Sequence, residues 1–177
     1  MAQMQHYQKL LRSDSLLRRL QKMLLGRRVT FRRLAGNSFL VYLECEPGDK
    51  QGFVIWLEPS WHLCNRSKVL VGSHQSELAR GPRQKAGFKK VAPLLNKLIG
   101  KKVTSVNIAP GSHDLEVRLS GGYHLRTFAD DPASFECWHI TDATNNLVLY
   151  GSASGLRVQK QKSKKSGLPM KKPVKRP

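Results

Sequence analysis

Acidic side chains are scarce in this chain: 12 Asp and Glu stand against 31 Lys and Arg in 177 residues, a formal charge of +19 at neutral pH. A surface so poor in carboxylates attracts polyanions. Cysteine is sparse too. Cys45, Cys64 and Cys137 are odd in number, widely spaced and form no C-x-x-C pair, which argues against a disulfide framework or a common zinc finger and for free thiols in a reducing compartment. No apolar run approaches the roughly 18 residues of a membrane span, and MAQMQHYQKLLRSDSLLRR lacks the uninterrupted apolar segment of a secretory signal. These absences predict a cytoplasmic, nucleoid- or ribonucleoprotein-associated protein without membrane attachment. In a eukaryotic host, KKPVKRP would pass as a nuclear-import signal. Phosphate loops, dinucleotide fingerprints and G-x-S-x-G elbows are also missing, so the expectation is a protein that is not an enzyme and has no cofactor.

What the chain does have is internal similarity. Leu24-Leu25-Gly26-Arg27-Arg28-Val29-Thr30 matches Leu98-Ile99-Gly100-Lys101-Lys102-Val103-Thr104, an offset of 74 at which Leu20 also falls on Leu94. The same offset sets Val41, Leu43 and Cys45 on Leu115, Val117 and Leu119. Further on, GFVIWL from Gly52 faces GYHLRT from Gly122, and Trp61-His62-Leu63 meets Trp138-His139-Ile140. The closing apolar runs, from Val69 to Gly72 and from Leu147 to Gly151, align behind them. Self-similarity of this extent predicts two copies of one unit.

Each copy reads as a helix and about five short strands. Ser13 or Asp14 caps a helix with Leu16, Leu17, Leu20, Met23 and Leu24 on one side and Gly26 at its left-handed end. Pro93 suits the first turn of the second helix, which Gly100 ends. Turns fall at AGNS, EPGDKQG and CNRS, then at APGS, SGG and ATNN. The predicted class is α+β: two tandem helix-plus-antiparallel-meander repeats packed about a pseudo-twofold, with a disordered basic C-terminal tail. The predicted boundaries are 1–74 for the first repeat, 75–90 for a basic linker, 91–154 for the second repeat and 155–177 for the tail.

On a strand, Trp61 and Leu63 share one face and His62 the other, and likewise Trp138 and Ile140 around His139. The tryptophans are therefore expected as core anchors, with the histidines on the solvated face. A sharper reading pairs His62 with Cys64 and Cys137 with His139 as a Cys₂His₂ zinc site, but the usual ligand spacings are absent. Cys137 and His139 as nucleophile and base lack a third group to orient the ring. Asp130, Asp131, Glu136 and His139 resemble the makings of a metal-dependent nuclease whose remaining roles are unfilled. No metal site and no catalytic residue are assigned.

The partner expected from charge is DNA or RNA, bound through its phosphates. In the tail, Lys162, Lys164, Lys165, Lys171, Lys172, Lys175 and Arg176 would carry it. On the folded part the candidates are Arg27, Arg28, Arg32, Arg33, Arg80, Arg83, Lys85, Lys89, Lys90, Lys101 and Lys102. Tyr42, Trp56, Tyr123 and Phe128 are few for base stacking and read as core residues.

The second copy, LIGKKVTSVNI, DLEVRLSGGYHLRTF and SFECWHI, resembles small bacterial β-rich domains with the pattern G-x-x-(V/I), L-x-(V/I)-x-(F/L)-x-(D/G)-G-x-x-L and (Y/F)-E-x-W-x-(L/I). The last element is Phe135-Glu136-Cys137-Trp138-His139-Ile140. Such domains are similar to immunity and accessory proteins of bacterial conflict systems. The resemblance implies a module that binds a protein without catalysis, here an acidic partner.

Overall fold

Leu16, Leu20 and Leu24 recur at helical spacing and are buried along one side of α1 (Ser13–Leu24), while Arg18, Arg19 and Lys22 lie outside. Gly26 follows at a φ of 80°, the left-handed residue that ends a helix and lets the chain run extended. Five strands come next: β1 (Val29–Ala35), β2 (Ser38–Leu43), β3 (Phe53–Leu57), β4 (Trp61–Asn65) and β5 (Lys68–Gly72). After the single turn α2 (Ser73–Ser76) and α3 (Pro82–Asn96) come β6 (Val103–Ile108), β7 (Leu115–Leu119), β8 (Tyr123–Thr127), β9 (Trp138–Asp142), β10 (Leu147–Ser152) and β11 (Gly155–Lys160). This computed structural model describes residues 13–76, 82–129 and 136–161. No helix among them is long and apolar enough to cross a membrane.

The class is α+β and mostly β, with two antiparallel sheets. The first has the order β1-β2-β3-β9-β10-β11 and the second β5-β4-β8-β7-β6. Neither half of the chain makes a sheet of its own, contrary to the separate meanders expected for 1–74 and 91–154. The chain leaves the first sheet after β3 and enters the second at β4 within three residues, which opens an edge on β3. An open edge must be paired. β9 pairs it from Phe53↔Asp142 to Leu57↔Trp138, and β4 pairs β8 from Trp61↔Thr127 to Asn65↔Tyr123.

Both sheets turn alternate residues into a single core. Phe39, Val41, Leu43, Ile55 and Ile140 come from the first sheet, and Leu63, Val106, Val117 and Leu125 from the second. Trp61 and Trp138 are fully enclosed there, as their strand position predicted. Each indole N–H still needs an acceptor. Trp61 Nε1 donates to Asn37 O at 2.6 Å and Trp138 Nε1 to His113 O at 2.8 Å, both in turns between strands.

Two boundaries differ from expectation. The linker placed at 75–90 gives way to helix from Pro82, and Pro93 lies near the end of α3 instead of its first turn. Its ring sits on the exposed side, where the carbonyl left without a donor can be hydrated. Gly155–Lys160, expected as the start of the tail, is strand instead: Leu156 and Val158 alternate inward and the segment pairs along β10. Residues 162–177 lie outside the described residues.

Gly151 faces the Trp138 indole across the β9–β10 ladder, and a Cβ there would fall 2.1 Å from the ring. Gly151→Ala should therefore displace Trp138 and destabilise the fold by about 1–3 kcal/mol or more in urea unfolding; a variant as stable as the parent would contradict this packing.

Candidate nucleic-acid interface

Each main helix ends in glycine followed by two cations, and the structure brings the two endings together. Gly26 N–H donates to Val103 O and Val103 N–H to Arg27 O, both at 2.9 Å. Val29 N–H donates to Lys101 O and Gly100 N–H to Val29 O, both at 2.8 Å. At the centre of this short antiparallel contact Arg28 and Lys102 are bridge partners. Two pairs of cations that lie far apart in the sequence are thus brought side by side.

They are not equivalent. Arg27 is held by Glu44 at 2.5 Å, by the Met23 carbonyl at 3.2 Å and over the Phe53 ring at 5.2 Å. Lys101 is half-buried, its ammonium 5.7 Å from the centre of the Tyr123 ring. Arg28 and Lys102 are exposed, and Arg28 makes one long contact, 3.4 Å to Gly100 O. Like charges set directly opposite on a ladder repel. Arg66 joins them at the Gly121–Gly122 turn: Gly122 lies against Arg66 and Gly121 against the Lys101 ammonium. It was missed because CNRS reads only as a turn, and its backbone is left-handed, with a φ of 51°.

The remaining candidates scatter. Arg32 reaches Asn96 Oδ1 through Nε at 2.9 Å and Nη2 at 2.6 Å, and the Ala92 carbonyl at 3.3 Å, so it clamps β1 to α3. Burial lowers its pKa from the ordinary value. Arg33 is exposed on the outer side of the first sheet, and Lys89 and Lys90 are exposed on α3. Arg80, the side chains of Arg83 and Lys85, and Lys162, Lys164, Lys165, Lys171, Lys172, Lys175 and Arg176 lie outside the described residues.

The two sheet exteriors differ in chemistry. Across the first runs the row Arg33, Leu40, Trp56, His139, Tyr150 and Arg157, each the ladder partner of the next. Trp56 stacks on His139 at 5.1 Å between ring centres, His139 lies 5.6 Å from Tyr150, and the Arg157 guanidinium sits 4.6 Å over Tyr150. Arg157 also pairs with Glu136 at 2.6 Å. Phe31 packs edge-on against Tyr42 in the next row. Trp56 Nε1 and His139 Nδ1 are shut from solvent without a hydrogen-bond partner among the described residues. Burial holds the His139 imidazole below its usual range, opposed in part by Glu58.

On the second exterior the row through His62 is Asn107, Glu116, Arg126, His62 and Gly72. Glu116 accepts from Arg126 Nε at 2.8 Å, Arg118 Nε at 3.1 Å and Asn107 Nδ2 at 3.4 Å. Burial pushes its carboxyl up, but these bonds outweigh that and hold it below the usual carboxylate range. Glu116 thus gathers the neighbouring donors of this face, while His124 Nδ1, 3.7 Å from Glu116 Oε1, is shut from solvent without a hydrogen-bond partner among the described residues.

The sharper sequence readings fare differently. His62 and Cys64 lie on the second sheet and His139 on the first, while Cys137 is buried in the core. The Cys₂His₂ grouping is therefore not assembled. Burial pushes the Cys45 and Cys64 thiols up, which keeps them protonated at neutral pH. Of the nuclease set, Asp130 and Asp131 lie outside the described residues, Glu136 is engaged by Arg157 and His139 by Trp56.

Two outcomes follow from these charges. The unfolded imidazole titrates near about 6.5, so as pH falls the unfolded chain gains the His139 proton before the fold does. Stability is full above that value and falls below it until the folded ring protonates. The urea midpoint should drop between about pH 7.5 and 5.5, and His139→Gln should flatten that step; an unchanged slope would assign it elsewhere. Lys102→Gln should raise the urea midpoint at low ionic strength, a gain that fades in about 1 M salt; a loss of stability would mean the facing cations do not repel. Comparison of the chain with protein-family models, with curated proteins and with solved structures finds no match in any of the three.

Proposed function

We propose that this chain is a non-catalytic nucleic-acid-binding protein that grips the phosphate backbone of DNA or RNA. The observation that carries the reading is the facing pair Arg28 and Lys102, exposed and without a carboxylate partner among the described residues, flanked by Lys101 and Arg66. A phosphate set between two like charges relieves their repulsion and releases counterions. Glu44, the nearby acid, is already spent on Arg27. The basic stretch beyond Lys160 adds further cations to the same chain.

The reading includes a duplicated architecture, with a pseudo-twofold through the Arg28–Lys102 bridge. Exchanging β1–β5 for β6–β10 converts the order β1-β2-β3-β9-β10 into β6-β7-β8-β4-β5, the order of the second sheet. The pairings support it strand by strand: Phe53↔Asp142 answers Tyr123↔Asn65, and Leu57↔Trp138 answers Thr127↔Trp61. Arg27 over Phe53 answers Lys101 over Tyr123. One correspondence shifts from the sequence alignment. The ladders match Val41 with Val117 and Leu43 with Leu119, two residues further along, because the turn before β7 is longer than that before β2. A slip of two keeps every side chain on its face.

Titrating a labelled duplex and a labelled single strand at several salt concentrations tests the function. The logarithm of affinity should fall linearly with that of salt, and Arg28→Gln with Lys102→Gln should reduce the slope by about two. An absence of binding at low salt would remove the reading. Capture of an acidic protein in its place would favour the module implied by the resemblance to immunity and accessory domains.

A further inference from the structure

We propose that the exterior of the first sheet is a stacking platform for the bases of single-stranded nucleic acid, centred on Trp56, His139 and Tyr150. The inference rests on the nucleic-acid reading above and names the form of the ligand. A sheet exterior that meets water is ordinarily polar. Here Leu40, Tyr42, Val54 and Trp56 form an apolar cluster of their own, to which no described helix contributes. The fold does not require it. The row through His62 on the other sheet carries Glu116 where this one has Leu40, Arg126 where it has Trp56 and Gly72 where it has Tyr150, and that sheet packs on the same shared core.

The ring spacing suits bases. Neighbouring strands are about 4.8 Å apart, and the three central rings lie 5.1 and 5.6 Å from one another. Aromatic faces bind bases of any sequence, because every base has a π face, and the faces are free only when the strand is single. Charge agrees with the assignment. Exposed Arg33 ends the row on β1 and can reach the phosphates of a strand lying across the sheet, while Arg157 on β11 would exchange its Glu136 partner for a phosphate. The strand that carries Arg157, β11, is also the one that ends at Lys160, ahead of the basic stretch in the sequence. A duplex hides its base faces and would touch only the cations.

The test uses the whole chain with a labelled oligothymidylate single strand and a labelled duplex, in low salt. Trp61 and Trp138 are fully enclosed, so quenching of tryptophan emission by the single strand reports Trp56. Trp56→Leu and Tyr150→Leu keep apolar bulk while removing the π face. Each should weaken single-strand binding by about tenfold or more and leave duplex affinity unchanged. Trp56→Phe should restore most of the loss. A thermal melt selects the Leu variant that folds. Equal loss for single strand and duplex, or no loss for either, overturns the platform and leaves the phosphate reading standing. Failure of the parent to bind either form overturns both. A dimer in sedimentation that Trp56→Leu disperses, with single-strand affinity intact, would give this face to a second copy of the chain.

Discussion

The pairing of β3 with β9 and of β4 with β8 is the constraint on which the rest of the structure depends. A helix and a small meander of about 60 residues would have little core and two open edges. By lending its last strands to the sheet of the other, each half closes an edge it does not own. The buried tryptophans sit at these crossings: Leu57 faces Trp138 and Thr127 faces Trp61. Each indole then reaches back to a turn, at Asn37 and His113. Removing either half would strand the other's core, so the chain must fold as one unit.

That interleaving also fixes where the charge goes. The helices end in glycine close to the line where the halves meet, and the residues next in sequence are cationic in both cases. Backbone bonds through residues 26–29 and 100–103 force Arg28 and Lys102 to face each other. A fold selected for stability alone would place an acid at one of the two. Keeping both is a local conflict of the kind that marks binding surfaces, where electrostatic strain in the free protein becomes affinity for an anion.

Local signals were legible and non-local ones were not. The positions of the turns, the helix-ending glycines and the inward tryptophans were all readable, because each depends on a few neighbouring residues. The partner of a strand edge depends on chain that arrives much later, so the strand exchange was invisible. Composition misled at two places. Arg157 and Lys160 made the start of β11 look like tail, although Leu156 and Val158 carry the alternation of a strand. In β2, Ser-Phe-Leu-Val-Tyr-Leu is apolar at nearly every position, so nothing local separates the core face of Phe39, Val41 and Leu43 from the outer face of Leu40 and Tyr42. Trp56 was consequently counted with the core. Arg28 and Arg32 come from one basic cluster, yet one is exposed with a long contact to the Gly100 carbonyl and the other clamps a helix.

The contrast between the two exteriors gives the strongest reason to look for function on one side. Under the proposed duplication both faces began alike, and a shared core would let either drift without penalty to folding. One has become a polar network in which Glu116 accepts from Arg126, Arg118 and Asn107. The other carries rings against rings, with Trp56 stacked on His139 and His139 held neutral by burial. A row of rings bounded at both ends by arginines is the arrangement the proposed platform requires, and the polar row on the opposite sheet lacks it.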